Sequence, residues 1–265
     1  MNSEKVQSKM INLNVCIFGG TTEGRLLAEF LSENIINADL FVATEYGEQF
    51  VKNLNHINVH HKRLDEHEMI ELFQNNKYDF VADATHPFAK AVSENLSRAA
   101  TRCGLNYLRV IRESKKTDSC TYFNSIDEIV KYLNDRAASE ENILLTTGSK
   151  DLDKFANIKN YEKRAYVRIL PMEDSLKRAL DLGYSNKNII CMQGPFSEEL
   201  NTAMIKQINA KYVVTKESAG SGGFEEKLRA CKALGASCLV IKKPEEKGLT
   251  LEEIKSYILK KDNLI

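Results

Sequence analysis

Short apolar runs rich in β-branched residues alternate along the chain with longer stretches whose apolar positions recur every three to four residues, and polar tips separate them. The first pattern is that of a buried strand, the second that of a helix. Strands are expected at residues 13–18, 38–43, 78–82 and 105–109, with a weaker one at 57–60, and a helix over 23–34 follows the first of them. Further strands are expected at 142–146, 165–169, 188–192, 212–215 and 237–241, with a helix after nearly every one. Such alternation predicts parallel sheets covered by helices. Between the two series runs Glu113-Ser114-Lys115-Lys116-Thr117-Asp118-Ser119, polar and without period, which reads as a crossing between lobes. The expected architecture is therefore α/β: two doubly wound, mostly parallel lobes of Rossmann or flavodoxin type, 1–116 and 117–265, with a cleft between them.

Length agrees with this division. At about 150 residues per domain, 265 residues hold one large or two modest domains. Lys plus Arg and Asp plus Glu are 37 each, so no overall basic face is offered to nucleic acid. Hydrophobic residues at 43% and charged residues at 28% are those of a folded, water-soluble chain. The apolar runs, such as Val15-Cys16-Ile17-Phe18, fall far short of the roughly 20 residues of a membrane-spanning helix. Residues 1–10 are polar and lack the apolar core of a secretory signal, so a cytoplasmic protein is expected. Six cysteines without a C-x-x-C pair read as reduced core residues. No apolar helix face or heptad repeat announces an interface, which leaves a monomer or a small homo-oligomer.

Ligands of doubly wound sheets lie beyond the carboxyl ends of the strands. Five tips there carry candidate chemistry: Gly19-Gly20-Thr21-Thr22-Glu23-Gly24, Asp83-Ala84-Thr85-His86-Pro87-Phe88, Thr146-Thr147-Gly148-Ser149-Lys150, Gln193-Gly194-Pro195-Phe196-Ser197 and the stretch from Lys216 to Phe224. Any one of them also serves as an ordinary strand-to-helix turn. The first stands where a dinucleotide's pyrophosphate meets backbone N–H groups, although its glycines miss the G-x-G-x-x-G spacing. Glu45, 21 positions beyond Gly24, stands where an acid holds the adenosine ribose, which favours NADH over NADPH; it is equally an ordinary solvated turn residue. His86, held before Pro87 at the expected first position of a helix, is a candidate for proton transfer. Tyr212 and Lys216 imitate a Tyr-x-x-x-Lys pair but fall on a strand, where they start roughly 13 Å apart. His56, His60, His61 and His67 have no ligand spacing, so no metal site is expected. No G-x-S-x-G, Walker A or H-E-x-x-H motif is present.

As an ordered set the five tips, with Ala89, Leu144-Leu145 and Thr215-Lys216-Glu217-Ser218, resemble the precorrin-6A reductase family of corrin (vitamin B12) biosynthesis over nearly the whole chain. The resemblance implies a two-domain enzyme. It would use NADH or NADPH to saturate one C=C bond of the precorrin-6A macrocycle, an anionic tetrapyrrole, giving precorrin-6B or its cobalt form. The chain departs from the family pattern at Lys62-Arg63-Leu64-Asp65, where a glycine is common, and at Ala219.

By position the first-lobe tips are assigned to cofactor: Gly19, Gly20, Thr21, Thr22, Gly24, Arg25, Thr44, Glu45, Tyr46, Arg63, Asp83, Thr85 and His86. The second-lobe tips and adjoining cations are assigned to substrate: Arg109, Arg112, Gly148, Ser149, Lys150, Arg168, Gln193, Gly194, Phe196, Lys216, Ser218, Gly222 and Gly223, with Phe88 supplying carbon surface. His86 and Lys216 are the candidate proton donors. The other readings are an S-adenosylmethionine-dependent corrin-pathway methyltransferase, whose glycine pattern is not found, and a non-catalytic nucleotide-binding module.

Overall fold

The structure is a computed structural model that describes residues 13–43, 51, 53–111, 117–217 and 223–262. Chain packing divides it into two compact units, residues 1–113 with 244–265 and residues 114–243. The first unit runs β1 (Asn14–Phe18), α1 (Thr22–Glu33), β2 (Asn37–Val42), β3 (Ile57–His61), α2 (Glu66–Asn75), β4 (Phe80–Asp83), α3 (Lys90–Cys103) and β5 (Asn106–Ile111). The second runs β6 (Thr121–Phe123), α4 (Ile126–Arg136), β7 (Asn142–Leu145), α5 (Leu152–Phe155), α6 (Tyr161–Arg164), β8 (Ala165–Ile169), α7 (Glu173–Asp181), β9 (Ile189–Cys191), α8 (Glu198–Gln207), β10 (Ala210–Lys216), α9 (Phe224–Leu234) and β11 (Ser237–Ile241). The chain then continues through β12 (Leu249–Thr250) and α10 (Leu251–Asp262).

The sheets are β12-β5-β4-β1-β2-β3 and β6-β11-β10-β7-β8-β9, and every strand pair is parallel. Both faces of a central parallel strand are buried, which is why β1, β7 and β11 read as near-continuous apolar runs. In β1, Val15 and Ile17 pack with Leu27 and Leu31 of α1, whereas Cys16 and Phe18 pack with Met69 and Phe73 of α2 and Leu96 of α3. Each sheet has a central strand, β1 or β7, from which the chain winds outward first one way and then the other. Its carboxyl end is the topological switch point where such folds take ligands.

The expected contiguous division fails at its far end. Residues 244–265 leave the second unit and complete the first, because β12 pairs with β5 (Leu249 with Val110) and α10 seats Ile254 and Ile258, both fully buried, in the core around β1. The fit is close: a Cβ at Gly248 would run into the carbonyl oxygen of Arg109. Conversely β6, which follows β5 in the chain, pairs with β11 of the second sheet. The helix expected to open at Pro87 begins at Lys90 instead, without a side-chain cap, so Pro87 and Phe88 lie in a turn. Cys191, expected in the core, is exposed because it ends the edge strand β9. Among the described residues no helix is long and apolar enough to cross a membrane.

Candidate active site

The switch point of the first sheet is built by the glycine turn after β1. Gly19 donates its N–H to the carbonyl of Phe41 at 2.8 Å, which ties the turn to β2. Gly20 adopts φ +125° with open space where a side chain would stand, so its backbone can be approached closely by a ligand. Thr21 caps α1: its Oγ1 accepts from Gly24 N at 3.3 Å and donates to the carbonyl of Ala84 at 2.8 Å. Gly24 is closely packed, since a Cβ there would lie 3.1 Å from Gly19 Cα and 3.2 Å from Ala84 Cβ. The result is a rigid rim of backbone amides at the positive end of a 12-residue helix, the arrangement that binds pyrophosphate. Arg25 pairs with Glu29 on α1, and Arg63 is exposed just past β3.

The neighbouring tip after β4 is held from beneath by a buried polar network. Asp83 is fully buried; its Oδ1 accepts from Thr85 N (3.0 Å), Thr85 Oγ1 (2.7 Å) and Arg109 Nη1 (2.7 Å), and its Oδ2 accepts from Tyr107 OH (2.7 Å). Burial first, and then the adjacent Asp83 charge, push the Tyr107 phenol far above its ordinary range, so it stays a donor. Arg109 is only 6% exposed, and its Nε and Nη2 bond Glu246 Oε1 at 2.9 and 2.6 Å. Asp83, expected at the cofactor, and Arg109, expected at the substrate, face each other in a buried ion pair, each offsetting the cost of burying the other's charge. Thr85, also assigned to cofactor, is likewise buried in that network. Sequence reading missed Tyr107 and Glu246; Tyr107 lies on a strand that mixes polar and apolar residues, where a tyrosine carries no distinctive signal. His86 itself is exposed, with its Nδ1 accepting from Phe88 N at 3.3 Å and its ring 5.7 Å from that of Phe88.

At the second switch point, Lys216 at the end of β10 reaches Asp151 at 2.9 Å, closing over the turn after β7. In that turn Gly148 has φ +81° with open space beside it, Ser149 bonds Ser175 at 3.1 Å, and Lys150 is exposed. Thr147 Oγ1 is buried with no hydrogen-bond partner among the described residues. Arg168 lies deeper than expected, 6% exposed: its guanidinium stacks 4.0 Å from the Phe196 ring centre and bonds Asn201 Oδ1 at 2.8 Å. No carboxylate among the described residues pairs with it, and burial lowers its pKa to about 10. Gln193 is exposed, Gly194 lies under the Phe196 ring, and Gly223 opens α9 at φ +65°. Lys227, a buried cation on α9, went unnoticed in the sequence because it reads as a helix-surface lysine. The expected residues Thr44, Glu45, Tyr46, Arg112, Ser218 and Gly222 lie outside the described residues.

Two strand-end rims, one built on a glycine turn and one bearing cations, are thus present. A sequence profile of the family described as Precorrin-6x reductase CbiJ/CobK matches residues 14–259. The chain belongs to this reductase family. Among precorrin-6x reductase relatives, the cobalt-precorrin-6A reductase of Salmonella typhimurium is 33% identical over 239 residues, covering 87% of this chain and 88% of the relative. That of Methanococcus maripaludis is 32% identical over 235 residues, 88% of this chain and 92% of the relative. The solved structure of CobK precorrin-6A reductase shares the fold, with a TM-score of 0.72 at 20% identity over 94% of this chain and 97% of that one. The reductase family is therefore the one its ordered tips resemble, and both parallel α/β units belong to it.

Proposed function

We propose that this chain reduces one C=C bond of a precorrin-6A-type macrocycle, cobalt-loaded or metal-free, with NADH or NADPH as reductant. The dinucleotide belongs to the first unit and the macrocycle to the second. The observation that carries the reading is the Gly19–Gly24 turn: an open, positive-φ glycine at a switch point, locked to the Ala84 tip, in a chain of the reductase family. The residues fit such a cofactor, since the backbone at Gly20 is bare and α1 presents its N-terminus there.

When bound, the nicotinamide supplies hydride from its C4, so the chain need not activate a nucleophile. Its task is to hold that carbon against the ring and to keep water away. The bare backbone at Gly20 and the N-terminal turn of α1 would hold the pyrophosphate. Thr21, by bonding Ala84, fixes the distance between the glycine turn and the His86 tip. In the second unit, Lys150 and Lys216 offer charge for peripheral carboxylates, and Phe196, backed by Arg168, offers a flat carbon surface. His86 or Lys216 supplies the proton that must accompany hydride.

The test is turnover of purified protein with metal-free and cobalt-loaded precorrin-6A, each with NADH and NADPH, followed by loss of reduced nicotinamide absorbance. Oxidation of either nucleotide that depends on the macrocycle is expected. Thermal stabilisation by S-adenosylmethionine and by neither nucleotide would defeat the reading in favour of a methyltransferase. His86→Ala separates the donors: a general acid there leaves a slow enzyme, down about 100-fold, with an altered pH profile. An unchanged profile assigns the proton elsewhere.

A further inference from the structure

Glu246 lies on neither rim, yet one chain of bonds beneath the first rim leads to it. Its Oε1 accepts from both Nε and Nη2 of Arg109, at 2.9 and 2.6 Å. The opposite edge of that guanidinium donates through Nη1 to Asp83 Oδ1 at 2.7 Å, to Thr85 Oγ1 at 3.1 Å and to the Asp83 carbonyl at 3.2 Å. The next residue, Ala84, receives the Thr21 hydroxyl at 2.8 Å and stands against Gly24. One continuous chain of hydrogen bonds and contacts thus joins the returning segment after residue 243 to the glycine turn. Gly248 presses that segment onto the Arg109 backbone, and β12 pairs beside it, so the carboxylate has a fixed origin.

A planar guanidinium bonded on two edges cannot rotate without breaking one of them. Bonded only to Asp83 and Thr85, it would pivot about that edge and take the tip with it. We infer that Glu246 is a positioning residue for the cofactor site: through Arg109 it holds the Asp83–Thr85 tip, and through Ala84 the pyrophosphate-binding turn, at the spacing a dinucleotide requires. The inference rests on the assignment of NAD(P)H to the first unit. Nothing in the assignment of residues to either ligand includes Glu246.

Glu246→Gln keeps the shape and removes the charge that holds both donors. Nucleotide affinity is read by nicotinamide fluorescence, macrocycle affinity by absorbance titration, and stability by melting. Ile258→Ala is the matched control, because Ile258 is fully buried in the core of the same unit and makes no bond in the chain from Glu246 to Thr21. Glu246→Gln is expected to weaken NADH or NADPH binding about tenfold and to leave macrocycle affinity within about twofold, as displacement of a positioned group does. Ile258→Ala should lower the melting temperature at least as much with nucleotide affinity nearly unchanged. Should Glu246→Gln not fold, Thr85→Val breaks the same chain nearer the tip and carries the same expectation. Equal loss of nucleotide affinity in Glu246→Gln and Ile258→Ala would overturn the inference, as would no loss in Glu246→Gln. Wild-type protein that binds neither nucleotide would instead refute the functional reading, and this inference with it.

Discussion

Lys227 is 8% exposed on α9, where burial first and the Arg168 charge second lower its pKa to about 8. An unfolded lysine titrates near about 10.4. Between pH 8 and about 10 the unfolded chain therefore binds more protons than the folded one, so stability rises with pH across that window. Below pH 8 both states are protonated and the folded one carries the full burden of a buried ammonium. Lys227→Met should raise the urea midpoint at pH 7 and flatten the rise between pH 8 and 10. A midpoint that falls at pH 7 would mean the ammonium is held by bonds worth more than its burial costs. Polar residues of this kind mark the limit of what the sequence makes legible. The glycine turn could be read because it stands in order with four other decorated strand tips. Arg109 could not, because whether a strand-end arginine faces solvent or an acid was decided by Asp83, 26 positions before it, and Glu246, 137 after it.

Ten strands were legible as apolar runs with residue limits within one or two of those observed. The two that were not are β6 and β12, of three and two residues, and these are the ones that exchange sheets. A pair of residues has no period, and which edge it joins depends on the partner strand's register, so the ownership of α10 was invisible as well. That ownership has a measurable consequence. Ile254 and Ile258 are fully buried against β1, β4 and β5 neighbours such as Val15, Phe80 and Val110. Ile258→Ala should cost about 2–5 kcal/mol. By amide hydrogen exchange the loss of protection should fall on β1, β4 and β5 and spare β7, β8 and β10. Loss of protection confined to β10 and β11 would return residues 244–265 to the second unit.

At the scale of the molecule, five strands of each sheet follow the same order, so fold alone cannot say which sheet takes which ligand. The difference lies in what the two switch points carry. The first has Gly19, Gly20 and Gly24 ahead of a 12-residue helix. The second is followed by the four-residue α5, too short for a helix dipole of consequence, and holds the Lys216–Asp151 pair and Lys150 instead. Backbone amides in series suit a pyrophosphate, whose charge is compact; separated cations suit carboxylates spread around a ring. Nucleotide should accordingly slow amide exchange at residues 19–25 and 84–86, and macrocycle at residues 146–150 and 193–197. Lys216→Met should raise the KM for macrocycle about tenfold, as loss of a charged contact does, while nucleotide affinity holds. Were nucleotide to protect the second set and lose affinity in Lys216→Met, the two sheets would have to exchange roles, and the open backbone at Gly20 would need another ligand.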